Sequence, residues 1–155
     1  MANIDNKCSN LEIENLYIKS TDTLGDILTL QLDTQKNIYG YDFENMSLRD
    51  VMNFWHMNTH ALLDEVHEMT DALGGINDGK GNAIWKPWKK AFSSFDKIKF
   101  SDLSKEDQLE CKFELVDILH FFANYAASIG MDAEEMYNMY MSKNKENRQR
   151  QVNGY

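Results

Sequence analysis

An all-α fold is predicted by three features of this sequence. A single proline in 155 residues leaves few of the rigid turns that β-sheet proteins use. Helix formers dominate, with 9 Met alongside many Leu and Ala and few Val or Thr. Apolar residues also recur every three or four positions in runs that end at glycine, at Gly40, Gly74-Gly75 and Gly130. The length suits one domain, expected over 21–155 behind a polar, irregular segment at 1–20.

The elements follow in order. A first helix is expected from Thr21 to Asn37, with Leu24, Ile27, Leu28 and Leu32 on one face, ending near Tyr39-Gly40. Ser47 reads as an N-cap with Asp50 three residues on, opening a helix to about Leu73. GGINDGKGN, from Gly74 to Asn82, is a loop. The aromatic and basic stretch from Ala83 to Phe100, which holds Pro87, reads as short helical pieces. Ser104 and Asp107 mark another start, for a helix through Leu109 to Ile129 that Gly130 stops. Asp132 or a neighbour opens the last helix, which carries Met136, Tyr137, Met139 and Tyr140 into a polar tail.

Charge excludes several function classes. Sixteen basic against 25 acidic residues give −9, a surface that repels phosphate backbones and anionic lipid. Neither nucleic acid nor a membrane is expected as partner, and no apolar run approaches the ~18 residues of a membrane span. An anionic substrate would need a metal or a local basic cluster. Cys8 and Cys111 form neither a disulfide framework nor a zinc spacing, and the N-terminus lacks a signal-peptide pattern, so a cytoplasmic setting is expected.

The acids carry the chemistry. On a helical wheel Val51, Trp55, Leu62, Val66, Met69 and Leu73 form an apolar stripe. Glu65 lies about 60° from its centre and Glu68 about 120°, while Asp64, His67 and Asp71 fall on the far side. Asn58 points inward. The later helix, FELVDILHFFANYAASI from Phe113 to Ile129, is apolar nearly all round and reads as central and buried. Glu114, Asp117, His120 and Asn124 are set into it. Two helices thus each carry an inward acid pair at i, i+3, a spacing that stacks both carboxylates on one face. Buried ion pairs to Lys or Arg would satisfy them singly. Four converging carboxylates instead favour a hard divalent ion such as Mg²⁺. Asp64-x-x-His67 and Asp117-x-x-His120 also touch the spacing of di-iron bundles, but with Asp for Glu and with one pair facing outward.

Two basic segments are of interest. Lys143, Asn147 and Arg150, at i, i+4 and i+7, would align on a helix and suit phosphate oxygens. Lys143, Lys145, Arg148 and Arg150 could equally complement a helix C-terminus. WKPWKK, from Trp85 to Lys90, interleaves aromatics and lysines that could stack a base and hold phosphate, or cap a core.

Together these pieces resemble the all-α nucleoside triphosphate pyrophosphatases, the superfamily of MazG-like proteins and dimeric dUTPases. The E-x-x-E and E-x-x-D signatures read here as Glu65-Val-His-Glu68 and Glu114-Leu-Val-Asp117, with 45 residues between them. The dUTPase branch is matched further by WKPWKK, by ELVDILHF at Glu114 to Phe121, and by a K-x-x-x-N-x-x-R-Q-x-x-G-Y ending at Lys143, Asn147, Arg150, Gln151, Gly154 and Tyr155. The resemblance runs from about Leu28 to the C-terminus. Pro87 departs from it, standing where the dUTPase pattern tends to carry another tryptophan.

The resemblance implies hydrolysis of a deoxynucleoside triphosphate, dUTP first, to the monophosphate and pyrophosphate, with dCTP or another canonical or modified dNTP as the alternative. It implies two or three Mg²⁺ ions, replaceable by Mn²⁺, on Glu65, Glu68, Glu114 and Asp117, which are also the catalytic acids. Lys143, Asn147, Arg150 and Lys89 would bind phosphates. Gln31, Asn58, Trp85, Trp88, His120, Asn124 and Tyr155 would line the base and sugar pocket. A homodimer is expected, and the apolar surplus of the Phe113–Ile129 helix is compatible with one. The rival class is a non-enzymatic acidic helical interaction protein, whose acids should lie outward in a row.

Overall fold

The computed structural model describes residues 20–74, 87–88 and 96–154. The expectations for 1–19, for the loop after Gly74, for Trp85, Lys89 and most of the 83–100 stretch, and for Tyr155 lie outside these residues. The described residues form four α-helices and no strand: α1 (Thr23–Asp33), α2 (Leu48–Leu73), α3 (Lys105–Ser128) and α4 (Ala133–Val152). The expected fold class is the observed one.

Helix starts follow local chemistry. Asp22 caps α1 by accepting from the Gly25 amide at 2.9 Å, two residues after the expected start. Past Asp33 the chain winds as a π-turn over Thr34–Ile38, and Gly40, at φ +75°, ends the helical run. Ser47 and Asp50 form a reciprocal cap at the head of α2: the Asp50 amide donates to Ser47 Oγ at 3.3 Å, and the Ser47 amide to Asp50 Oδ2 at 3.1 Å. Ser104 accepts from the Asp107 amide at 3.0 Å before α3, and Asp132 accepts from the Glu135 amide at 2.8 Å before α4. Gly130, at φ +70°, makes the turn between those last two helices.

Packing divides the chain into two compact units. Among the described residues, one unit holds 56–74, 87–88 and 96–121, and the other 20–55 and 122–154. In the second, Phe54 is buried beneath Tyr41 and Phe43, both edge-on to it with ring centroids at 4.7 and 5.2 Å. There too the Trp55 indole N–H donates to Ser128 Oγ at 2.8 Å, and the Trp55 ring meets Tyr125 edge-on at 5.7 Å.

Two expectations about helix faces are corrected. The deeply buried residues of α2 are Phe54, Asn58 and Ala72, a line rotated about 70° from the apolar stripe by the 100° step per residue. Trp55, placed in that stripe, stays 38% exposed. Helix α3 is not buried all round. Its covered line runs through Asp107, Glu110, Glu114, Asn124 and Ser128, whereas Leu115, Val116, Phe122 and Ile129 face outward. On α3 the row at 107, 110, 114, 117, 121, 124 and 128 steps by threes and fours and is mostly polar, whereas on α2 the row at 54, 58, 65 and 72 steps by four, seven and seven and mixes Asn58 and Glu65 with Phe54 and Ala72.

Candidate active site

The first unit brings three acids together. One carboxylate oxygen from each of Glu65, Glu68 and Glu114 lies within 4.8 Å of the other two. Glu114 is 4% exposed, Glu65 half-buried and Glu68 exposed. The i, i+3 spacing on α2 puts Glu65 and Glu68 on adjacent turns, and α3 supplies Glu114 from its covered seam.

The electrostatics are unfavourable without a cation. Burial, then the hydrogen bond with Glu65 and the charges of Glu68, Glu65 and Glu110, push Glu114 from 4.5 up to about 8. Burial also raises Glu65, as do the charges of Glu68, Asp117 and Asp64, and the bond with Glu114 partly offsets this. Glu114 is therefore the protonated partner and donates to the Glu65 carboxylate. Three clustered carboxylate oxygens, with no Lys or Arg among the described residues bonded to Glu65 or Glu114, fit a hard divalent ion, whose charge would offset the repulsion that otherwise traps a proton.

Asp117 does not join this trio. Its charge reaches Glu65, but its Oδ1 faces His120 Nδ1 at 3.1 Å. His120 itself is half-exposed on the rim of α3 rather than set inward. Sequence reasoning missed two acids on the same seam. Glu110 is 9% exposed and adds its charge to Glu114. Asp107 is 7% exposed, and its Oδ1 has no hydrogen-bond partner. The three- and four-residue steps from 107 to 117 were the available signal, hidden because Asp107 had already been read as a cap.

The basic residues sit on α4. Glu146, overlooked in the sequence, lies between two of them: its Oε2 accepts from Lys143 Nζ at 3.0 Å, and its Oε1 pairs with Arg150. One carboxylate thus holds two of the four candidate phosphate ligands along one face, and the bond from Lys143 keeps the Glu146 carboxyl below its ordinary value. Asn147 lies beside them on the exposed helix.

Of the candidate base-pocket residues, the second unit joins two. Gln31 Nε2 donates to Asn124 Oδ1 at 2.8 Å, and Asn124 is 3% exposed. Asn58, in the first unit, is 1% exposed, and Trp88 is 69% exposed in a turn.

Known proteins place this all-α chain, with its clustered carboxylates and basic final helix, among the nucleoside triphosphate pyrophosphatases. A dCTP pyrophosphatase of Enterobacteria phage T4 is 35% identical over 167 aligned positions, covering 97% of this chain and 98% of that protein. A dCTP pyrophosphatase of Enterobacteria phage LZ5 is 49% identical over 96, covering 61% of this chain and only 56% of that protein. A DNA replication protein of phage T4 is 33% identical over 157, covering 90% of this chain and 40% of its own length. The chain belongs to the family of the phage dCTP pyrophosphatases, which are hydrolases. No protein-family model and no solved structure matches it.

Proposed function

We propose that the protein is a Mg²⁺-dependent deoxynucleoside triphosphate pyrophosphohydrolase, converting dNTP and water to dNMP and pyrophosphate, with dCTP the preferred substrate. The observation that carries this reading is the Glu65–Glu68–Glu114 cluster, with Glu114 forced to hold a proton at neutral pH. The names of the two pyrophosphatase relatives favour dCTP over the dUTP implied by the motifs. The wider kinship with MazG-like proteins and dimeric dUTPases is part of the same proposal.

Glu65, Glu68 and Glu114 hold the metal, with Asp117 completing the acid set from the next turn of α3. A bound divalent ion supplies the positive charge that offsets the triphosphate and acidifies a coordinated water. Glu68, the exposed member of the trio, accepts the proton of the attacking water. Lys143 and Arg150 exchange Glu146 for phosphate oxygens, and Asn147 adds an amide beside them. Gln31 and Asn124, fixed to one another, present amide edges to base or sugar. The active form is a homodimer, supported by the outward Leu115, Val116 and Phe122 of α3 and Ile129 just after it.

The test is pyrophosphate release from a panel including dCTP, dUTP, dATP and the ribonucleotides, with Mg²⁺, with Mn²⁺ and with neither. Mg²⁺-dependent turnover is expected, with dCTP fastest, reduced at least about a hundredfold in Glu65→Gln and in Glu114→Gln. Turnover of dUTP above dCTP would reverse the base assignment alone. No turnover by folded wild-type protein would reject the enzymatic reading in favour of an acidic interaction protein.

A further inference from the structure

Helix α2 has a second chemical face. Three of the four histidines in the protein, His56, His60 and His67, lie on it with Asp64, and all four residues are exposed. The steps are four, four and three residues, so each residue stands about one turn from the next. The midpoint of His56 and His60 lies about 160° around the helix from Glu65 by the 100° step per residue. The two faces therefore point to opposite sides of one regular helix, and all these residues belong to the first compact unit.

The spacing of His56 and His60 determines what they can do. Residues at i and i+4 have Cβ atoms about 5–6 Å apart, which lets two imidazoles converge on one ion at about 2.0–2.1 Å. This two-histidine geometry on one helix face is how the H-E-x-x-H zinc sites grip their metal. Among the described residues neither His56 nor His60 makes a hydrogen bond or ion pair, so their ring nitrogens are uncommitted. Asp64, one turn beyond His60, adds negative charge without occupying either ring. Imidazole selects late first-row ions, whereas the carboxylates of the opposite face suit Mg²⁺ or Mn²⁺.

We propose that His56 and His60 chelate a late first-row divalent ion, of the Zn²⁺, Ni²⁺ or Cu²⁺ class, at a site separate from the carboxylate cluster. Water completes the coordination, and Asp64 strengthens it through its charge. The site is independent of the proposed hydrolase activity.

Calorimetric titration of Ni²⁺ into the metal-stripped full chain, with Mg²⁺ in excess to fill the carboxylates, tests this directly. One binding event is expected, retained in Glu65→Gln and weakened about tenfold or more in His56→Ala and in His60→Ala. With Cu²⁺ in place of Ni²⁺, electron paramagnetic resonance should show coupling to two nitrogens in the wild type and to one in either variant. Both histidines are exposed, so helical circular dichroism should be unchanged and a loss of binding is then local. No Ni²⁺ binding by the wild type, unchanged binding in the His56→Ala/His60→Ala double variant, or loss of binding in Glu65→Gln would each overturn the proposal.

Discussion

At the scale of single residues, the proton on Glu114 has a measurable consequence. Its folded pKa of about 8 lies above the ordinary 4.5, so the folded metal-free protein binds more protons than the unfolded chain across that interval. Stability of the metal-free protein is then fullest below about 4.5 and declines as pH rises towards about 8. Thermal melts in EDTA should show the midpoint falling over this range, and added Mg²⁺ should raise it more at pH 8 than at pH 5.5. Glu114→Gln should flatten the EDTA profile. Glu146 invites a different measurement. Its pairing with Lys143 and Arg150 is exposed and screened by water and salt, so a triphosphate can displace it. Glu146→Gln removes that competitor and should lower KM for the deoxynucleotide up to about fivefold at low salt, an effect that shrinks as salt rises. Steady-state kinetics at two ionic strengths checks it.

Whole elements show what a sequence discloses and what it hides. Caps were legible because they are local: Ser47 with Asp50, Ser104 with Asp107, Asp132, and the stops at Gly40 and Gly130 depend on residues within a few positions of each other. The orientation of a helix was not, because its inward face depends on what it must meet. A wheel weighted by hydrophobicity centred α2 on Val51, Leu62 and Val66. Asn58 and Glu65 do turn inward as that wheel expects, but the line buried deepest runs through Phe54, Asn58 and Ala72 and leaves the apolar stripe half-covered. The carboxylate trio was foreseeable from its spacing, whereas Glu146 was passed over because a lone acid in a basic tail looks unremarkable. Gly130 provides the element-scale prediction. A Cβ there meets nothing within 4 Å, yet φ is +70°, so Gly130→Ala should cost about 1–2 kcal/mol through the backbone alone. Gly25→Ala acts by another route, since its Cβ would collide with the Asp22 carboxylate that caps α1. Urea melts of the two variants should show both losses, and only Gly25→Ala should fray α1.

At the scale of the molecule, the described residues bury several polar groups while large apolar ones stay exposed. Carboxylates and amides sit beside Phe54 and small alanines in the covered seams, while Leu115, Val116 and Phe122 of α3, Ile129 just after it, and Tyr137, Met139 and Tyr140 of α4 stand outside. A second copy of the chain is the proposed cover. Leu115→Glu with Val116→Glu should yield a monomer in sedimentation while retaining helical circular dichroism, because neither side chain supports the interior of its own unit. Among the described residues no helix is long and apolar enough to cross a membrane.

The hydrogen bond between Glu114 and Glu65 has one more consequence. If the cluster takes the proposed cation, that ion would have to evict the proton the two share, so uptake would be an ion exchange rather than a simple addition. Apparent affinity should then climb with pH up to about 8, and the heat of binding should vary with the ionisation enthalpy of the buffer. On the proposed reading, the hydrogen bond between two acids would thus make the uptake of a cation a reading of ambient acidity.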